Sequence, residues 1–379
     1  MRVILNDEIE ELACKILSQE ESHLELRLHE LNNYKKQLLL DFCNEHELLG
    51  CLKRKSGQYW TTFPGYSVAD KIISDQVIYL ESLFSALHKI DTILDDEVEV
   101  VLLKNGAICK LYEVDYAETP MGDLDLLVED RYFERVLSQL LDNGFEINFR
   151  TNLKDSLLDQ VLADREAELT YRCENGISVF IELQTRSVSG RWLDKSREPD
   201  NCELFETRVN LKGFNHIVSL SAEWNLIQVC LHTAKHSYIR APGFRLHADV
   251  DRIIKWDKID WQVFLEYVDQ LRVQTPVYMS LYLAKSLLDT KIPEIILKDI
   301  KPFAPIRLYL IRKILSNVGY FHPQTKKFSN LSYIIFTCLH FESLGQLTSS
   351  IVTSIAKAGD KGVINRLSNL YSLVFKRNL

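Results

Sequence analysis

The spacing of apolar residues changes character twice along this chain. Up to about residue 50, apolar positions recur among charged ones at helical spacing, as at Leu24, Leu26, Leu28 and Leu31 and again at Leu38-Leu39-Leu40. That pattern predicts helices. Residues 51–70 carry the breakers Gly57, Pro64 and Gly65 and are expected to be irregular. Ser74–Leu94 reads as a further helix, capped by Ser74 with Asp75 in its first turn. Between 97 and 212 short apolar runs take over. Residues 98–103, 123–128 and 177–184 are strand-like, and 130–142 is a helix ending at Asn143-Gly144. Arg165–Cys173 adds a strand before the turn Glu174-Asn175-Gly176. From Ser219 the helical period returns: Ser221 caps Ala222–Tyr238, whose Leu226, Val229, Cys230 and Thr233 form one stripe. Pro242-Gly243 interrupts it. Helices follow at Ala248–Ile254, Trp261–Leu271, Val277–Leu288 and Pro305–Ser316, and helix is also expected over 322–379. The predicted fold is α+β: a small mixed-sheet core at 97–212, framed by N-terminal helices at 1–96 and a C-terminal helical domain at 213–379.

The candidate chemistry lies on the strand at 123–128. Successive strand side chains point to opposite faces, so Asp123 and Asp125 emerge together while Leu124 and Leu126 turn into the core. Two carboxylates side by side repel unless a cation lies between them, and oxygen-only ligands favour Mg²⁺. Gly122, just before the pair, lets backbone and ligand approach closely. A third acid, Glu182, sits inside the apolar run Ile177–Leu183. Val179, Ile181 and Leu183 share one face there, leaving Glu182 with Phe180 and Gln184 on the other. A charge in such a strand is costly unless paired or bound to metal; Glu168 and Glu174 are nearby alternatives. Upstream, Lys104-Asn105-Gly106 turns from a strand into a helix, a place where phosphates bind. Gly106 is expected to aim its N–H at the cleft, so that Gly106→Val would weaken nucleotide binding and leave the fold intact. The plain alternative is a solvated acidic strand edge beside an ordinary Asn-Gly turn. Together the two features point to nucleotidyl or phosphoryl transfer.

These residues resemble the DNA-polymerase-β-type nucleotidyltransferase superfamily, and more closely a bacterial group of uncharacterised nucleotidyltransferases. The matching positions are Leu103-Lys104, Pro120 through Val128, Glu182-Leu183, His232 with His236, and Asp249. The likeness spans about residues 75–265. Two departures stand out: Asn105 where the group has glycine after the lysine, and Gln184 where it has histidine. The resemblance implies that Asp123, Asp125 and Glu182 hold two Mg²⁺ ions, with Mn²⁺ as a substitute, for in-line attack on an α-phosphorus. An NTP is the implied substrate, ATP the expected one. Lys104, Asn105, Gly106 and Gly122 would line its phosphates. His232 and His236 share a helical face, which turns Lys235 or His236 toward phosphate or is a polar face satisfied by Asp249. Arg245, His247, Asp249 and Asp251 would line the far wall. Zinc is disfavoured, since the metalloprotease form needs Glu at 233, which is Thr.

Composition narrows the partners. A formal charge of −8 argues against non-specific nucleic-acid binding, so nucleic acid is not the expected acceptor. The eight cysteines are scattered without a Cys-x-x-Cys pair, so reduced thiols are expected. No 18-residue apolar run occurs, no secretory signal is seen, and cytoplasmic residence is expected. The acceptor stays open: a small molecule, a peptide or a protein. The rival reading is a catalytically silent nucleotide-binding or interaction protein that keeps the fold.

Overall fold

Buried leucines at i, i+4 spacing shape the N-terminal helices of the computed structural model, which describes residues 8–18, 24–147, 157–187, 199, 201–239, 242–302, 305–318, 330–343 and 345–348. These helices are α1 (Glu8–Leu17), α2 (Leu24–Glu30), α3 (Asn33–Glu45) and α4 (Leu49–Ser56). In α2, Leu24 and Leu28 are buried while Leu26, on the other side, is 51% exposed. The segment expected to be irregular is mostly helical. Burial of Leu49, Cys51 and Leu52 holds α4 together, and it stops at Gly57, whose φ of +51° suits glycine. The long α5 (Tyr66–Ile93) starts eight residues before the expected Ser74, at a left-handed Gly65 just after Pro64. Asp75 therefore lies inside a helix rather than at its start.

The sheet follows. Its elements are β1 (Val100–Leu102), α6 (Lys104–Leu111), β2 (Asp123–Val128), α7 (Phe133–Asp142), β3 (Phe145–Ile147), α8 (Leu157–Asp164), β4 (Glu166–Arg172) and β5 (Ser178–Gln184). Then come α9 (Asn201–Glu206), β6 (Val209–Asn210) and β7 (Ile217–Ser219). The seven strands are ordered β3-β4-β5-β2-β1-β7-β6. β2 pairs parallel with β5 and antiparallel with β1, so the sheet is mixed as expected. The β4–β5 hairpin turns at Gly176, φ +82°, where Asn175 Oδ1 accepts from the Ile177 N–H at 3.1 Å. β3, β6 and β7 are too short to show a period and were not foreseen. Asp91 pins the start of β7: its carboxylate accepts the N–H groups of Asn215, His216 and Ile217 at 3.0, 2.7 and 3.1 Å.

Helices complete the chain: α10 (Ala222–Lys235), α11 (Gly243–Trp256), α12 (Trp261–Leu271), α13 (Gln274–Leu288), α14 (Glu294–Asp299), α15 (Pro305–Val318) and α16 (Asn330–Cys338). Ser221 caps α10, accepting the Trp224 N–H at 3.4 Å. α11 starts directly after Pro242, five residues before the expected Ala248. Of the helix expected at 322–379, α16 is seen; residues 322–329 and 349–379 lie outside the described ones. Cys14, Cys43, Cys51, Cys109, Cys173, Cys230 and Cys338 are free thiols.

The two faces of the sheet bury different cores. Leu102, Leu124, Leu126, Val179, Ile181 and Leu183 pack with α5 and α7 residues such as Leu87 and Leu137. Val101, Leu127 and Val218 face the other way and join Trp224, Leu231 and Phe244 of the helical half. Gly106 of α6 belongs to the first core. A Cβ added there would lie 2.8 Å from Leu102 Cδ1 and 3.0 Å from Leu124 Cδ2. Close packing of helix on sheet therefore requires this glycine. Gly106→Val is expected to destabilise the fold by about 1–3 kcal/mol through overpacking, read as a lower thermal midpoint by circular dichroism. This replaces the expectation of an intact fold.

Candidate active site

Register decides which acids meet. β2 and β5 run parallel with Asp125 opposite Glu182 and Asp123 opposite Phe180. Paired residues share a face, so both aspartates and Glu182 lie on the side opposite Leu124 and Ile181. Glu182 is hydrogen-bonded to Asp125. Asp123 stands on the same face, two residues nearer the strand's start and less buried. Glu168 lies opposite Glu182 on β4, while Glu174 belongs to the hairpin turn region away from the pair.

Lys104 completes the cluster. The Leu103 N–H donates to the Asp125 carbonyl at 2.9 Å, which brings the first residue of α6 alongside that aspartate. Lys104 then adopts a left-handed φ of +51°, and its ammonium forms an ion pair with Asp125 Oδ1. Burial would lower the ammonium pKa; the Asp125 charge and bond outweigh this and, with Glu182 and Asp123, raise it. Glu182 shows the opposite strain. Burial first, then repulsion by Asp125 and their hydrogen bond, push its carboxyl to about 8, with Lys104 pulling the other way. Glu182 therefore keeps its proton at neutral pH.

The pair offers only hard oxygen donors, and its mutual repulsion is what a divalent cation relieves; the donor set fits Mg²⁺ or Mn²⁺. Lys104 supplies that positive charge in this structure. Asp123 is not drawn in to the same degree: among the described residues no group of three or more His, Cys, Asp and Glu stands at metal-holding spacing.

The remaining candidates divide. Leu103 provides no side-chain cap, so the first N–H groups of α6 lack one. Gly122 is exposed, with nothing within 4 Å of an added Cβ, and leaves open space beside Asp123. Asn105 is buried and turns away from the cleft. In the amide orientation assigned from its partners, its nitrogen donates to Asp249 Oδ2 and its oxygen accepts from Arg245 Nη1 and Nη2, all at 2.9 Å. Asp249 is not a lining residue: it is 1% exposed and paired with Arg245 at 3.5 Å and Arg252 at 3.2 Å. Arg245, His247 and Asp251 are buried too, so the expected far wall is interior. Asp251 accepts from Thr290 Oγ1 at 2.7 Å and His247 Nε2 faces the Tyr238 carbonyl at 3.0 Å.

Of the two helix histidines, His232 is the one tied to the site. Burial, then the Lys104 charge, lower its pKa well below the ordinary value, so it is neutral. His236 caps α10 with its ring 4.9 Å from that of His232, and Lys235 is exposed. Tyr79 was not foreseen. From α5 its hydroxyl donates to the Gly122 carbonyl at 2.6 Å, clamping the turn before Asp123. An aromatic in an apolar helix carries no sequence signal for that contact.

The fold thus brings a carboxylate pair on adjacent sheet strands beside a lysine at a helix N-terminus. The pattern of the family described as uncharacterised nucleotidyltransferase matches residues 34–289, and the chain belongs to that family. The match reaches further in both directions than the motifs alone, taking in α3 and α13. No curated protein and no solved structure matches the chain.

The raised Glu182 carboxyl has a measurable consequence. Folded, it keeps a proton that the unfolded chain releases near 4.5, so its contribution is complete below that pH and is lost as pH rises through about 8. Metal-free protein in EDTA is expected to lose thermal stability between pH 5 and 8. Glu182→Gln, which keeps a donor toward Asp125, is expected to flatten that slope in melts across the range.

Proposed function

We propose that the chain is a Mg²⁺-dependent nucleotidyltransferase that moves a nucleoside monophosphate from an NTP, with ATP the expected donor, to a hydroxyl acceptor. The observation that carries this reading is the Asp125–Glu182 pair set beside Lys104 at the start of α6. Family membership supports nucleotidyl transfer in general. Asp125 and Glu182 would hold the metal, with Asp123 joining from the same face. When bound, the metal lowers the pKa of the acceptor hydroxyl and offsets the negative charge of the triphosphate.

The chain's own groups do the rest. Lys104, already fully charged, exchanges Asp125 for a phosphate oxygen. The uncapped N–H groups of α6 add donors at the same point. Neutral His232 donates or accepts a hydrogen bond without adding charge. Lys235 and His236, at the end of α10, would meet the phosphates. The acceptor oxygen bonds to the α-phosphorus, pyrophosphate leaves, and Glu182, its own proton released when the pair takes up the metal, would receive the acceptor's. No helix of the described residues is long and apolar enough to cross a membrane; residence in the cytoplasm is part of the proposal.

The ion pair between Lys104 and Asp125 favours a second reading, a silent nucleotide-binding protein whose carboxylates are held by lysine. One experiment separates them. Wild type is mixed with each labelled NTP, Mg²⁺ or Mn²⁺ and host extract as acceptor pool, and both label transfer and pyrophosphate are read. Transfer is expected, and Asp125→Asn should lower it by orders of magnitude, since metal stabilisation of the transition state is worth several kcal/mol; circular dichroism checks that the variant, whose Lys104 has lost its ion-pair partner, is still folded. Nucleotide binding without pyrophosphate release would establish the silent reading.

Lys104→Met offers a separate check. It removes the charge that competes for Asp125, so Mn²⁺ affinity is expected to rise while Mg²⁺-dependent NTP affinity falls. Isothermal titration with each ligand checks both directions.

A further inference from the structure

The carboxylate face does not end at Glu182. Two residues earlier on the same strand stands Phe180, 40% exposed although β5 has a strand on either side. Its register partners are Asp123 on β2 and Thr170 on β4. Side chains two apart share a face, so the ring lies beside the acids. β4 extends that face with Glu168 opposite Glu182 and Glu166 opposite Gln184; β3 adds Glu146 opposite Thr170. Glu146 and Glu166 are exposed and Glu168 is half-buried. Arg172, opposite Ser178 at the hairpin end, lies on the same face, and Glu168 is not without a partner there. The reverse side of the same strands is closed: Ala167, Leu169, Val179 and Ile181 are at most 1% exposed.

An aromatic ring open to solvent among carboxylates selects a particular chemistry. The ring face is electron-rich and attracts cations, and the surrounding carboxylates attract the same sign of charge. A polyphosphate or a nucleic-acid end is repelled there, and a neutral alcohol gains only apolar contact.

We propose that this ledge is the acceptor site and that the acceptor is a small hydroxyl-bearing amine. Its ammonium lies over Phe180 and near Glu168, and its hydroxyl points at the Asp125–Glu182 pair. The inference rests on the nucleotidyl-transfer reading. The new bond forms from the hydroxyl oxygen to the α-phosphorus, the bond to pyrophosphate breaks, and the hydroxyl proton passes to a carboxylate of the pair. The amine keeps its charge throughout and serves recognition.

Choline and 3,3-dimethylbutan-1-ol test this directly, because they share a shape and a hydroxyl and differ in charge. Binding of each to the full-length protein is measured by saturation-transfer NMR, with and without Mg²⁺ and α,β-methylene-ATP. Choline is expected to bind at least several-fold more tightly than its neutral isostere. Phe180→Ala should weaken choline by roughly 2- to 30-fold, the range of a cation–aromatic contact, and leave the isostere little changed. Phe180→Leu, which keeps apolar area, should lose nearly as much, and Glu168→Gln should weaken choline alone. Equal affinity for the two probes, no binding of either, or unchanged choline affinity in Phe180→Ala overturns the assignment. Where the ATP analogue still binds, such a result removes the acceptor assignment alone. Cation-selective binding at Phe180 in a protein that binds no nucleotide would sink nucleotidyl transfer and keep the ledge.

Discussion

Two carboxylates cannot both stay ionised at hydrogen-bonding distance in a half-buried sheet without a positive charge between them. Strand register makes Asp125 and Glu182 direct neighbours. The surroundings meet the constraint in two ways. A proton remains on Glu182, and Lys104 adopts an unfavourable left-handed backbone to bring its ammonium to Asp125. Left-handed φ costs a non-glycine residue on the order of 1 kcal/mol or more, and it persists where surrounding structure over-determines it. Here the overdetermination is visible: the Leu103 N–H bond to Asp125 on one side and the packed start of α6 on the other.

Three consecutive residues divide the work of joining the parts. Lys104 reaches the carboxylates, Asn105 reaches Arg245 and Asp249 of the helical half, and Gly106 lies flat on Leu102 and Leu124 of the sheet. The network around Asp249 extends further. Arg245 also bonds Glu47 at 3.2 Å, and Arg252 donates to the Glu118 carbonyl at 3.4 Å, while the Glu118 side chain pairs with Arg54. N-terminal helices, site helix and C-terminal helices thus meet in one set of charges, buried at Arg245, Asp249 and Arg252. Buried ion pairs add little net stability, because desolvation offsets attraction, but breaking one leaves an unpaired charge inside. Their effect is to admit one relative placement of these elements, and with it one direction for Lys104.

Period-2 runs made β2 and β5 legible in the sequence, with their faces: Leu124, Leu126, Val179, Ile181 and Leu183 are buried where alternation puts them. Register was not legible, since pairing joins residues more than fifty apart, and so the contact of Asp125 with Glu182 and the rim position of Asp123 emerge only in three dimensions. Asn105 and Gly106 show why a turn motif misleads. Asn-Gly is the commonest hairpin dipeptide, yet here both residues are helical, one fixed by a buried arginine and the other by a close approach to leucine side chains. Asp249 was placed in the site on likeness alone; its burial among arginines makes it a residue that orients α6. Tyr79 and the early start of α5 escaped because apolar helical residues look alike whichever way they face.

On the proposed reading an acidic protein handles a polyphosphate and needs its charges sorted, and the elements around the pair do part of that sorting. Cationic groups come from the helical side: Lys104 at the start of α6 and Lys235 at the end of α10, with His232 kept neutral between charges. Acidic groups come from the sheet side, on β2, β5 and β4. On the proposed reading a triphosphate is drawn to one side and a cationic acceptor to the other, with the metal-holding carboxylates at the boundary. A net charge of −8 is then no obstacle to nucleotide binding, because only the local field within about a Debye length acts on the bound groups. The same sorting disfavours the reverse arrangement, in which phosphate would lie against Glu166 and Glu168, and so makes the order of the two substrates across the sheet a property of the strand register itself.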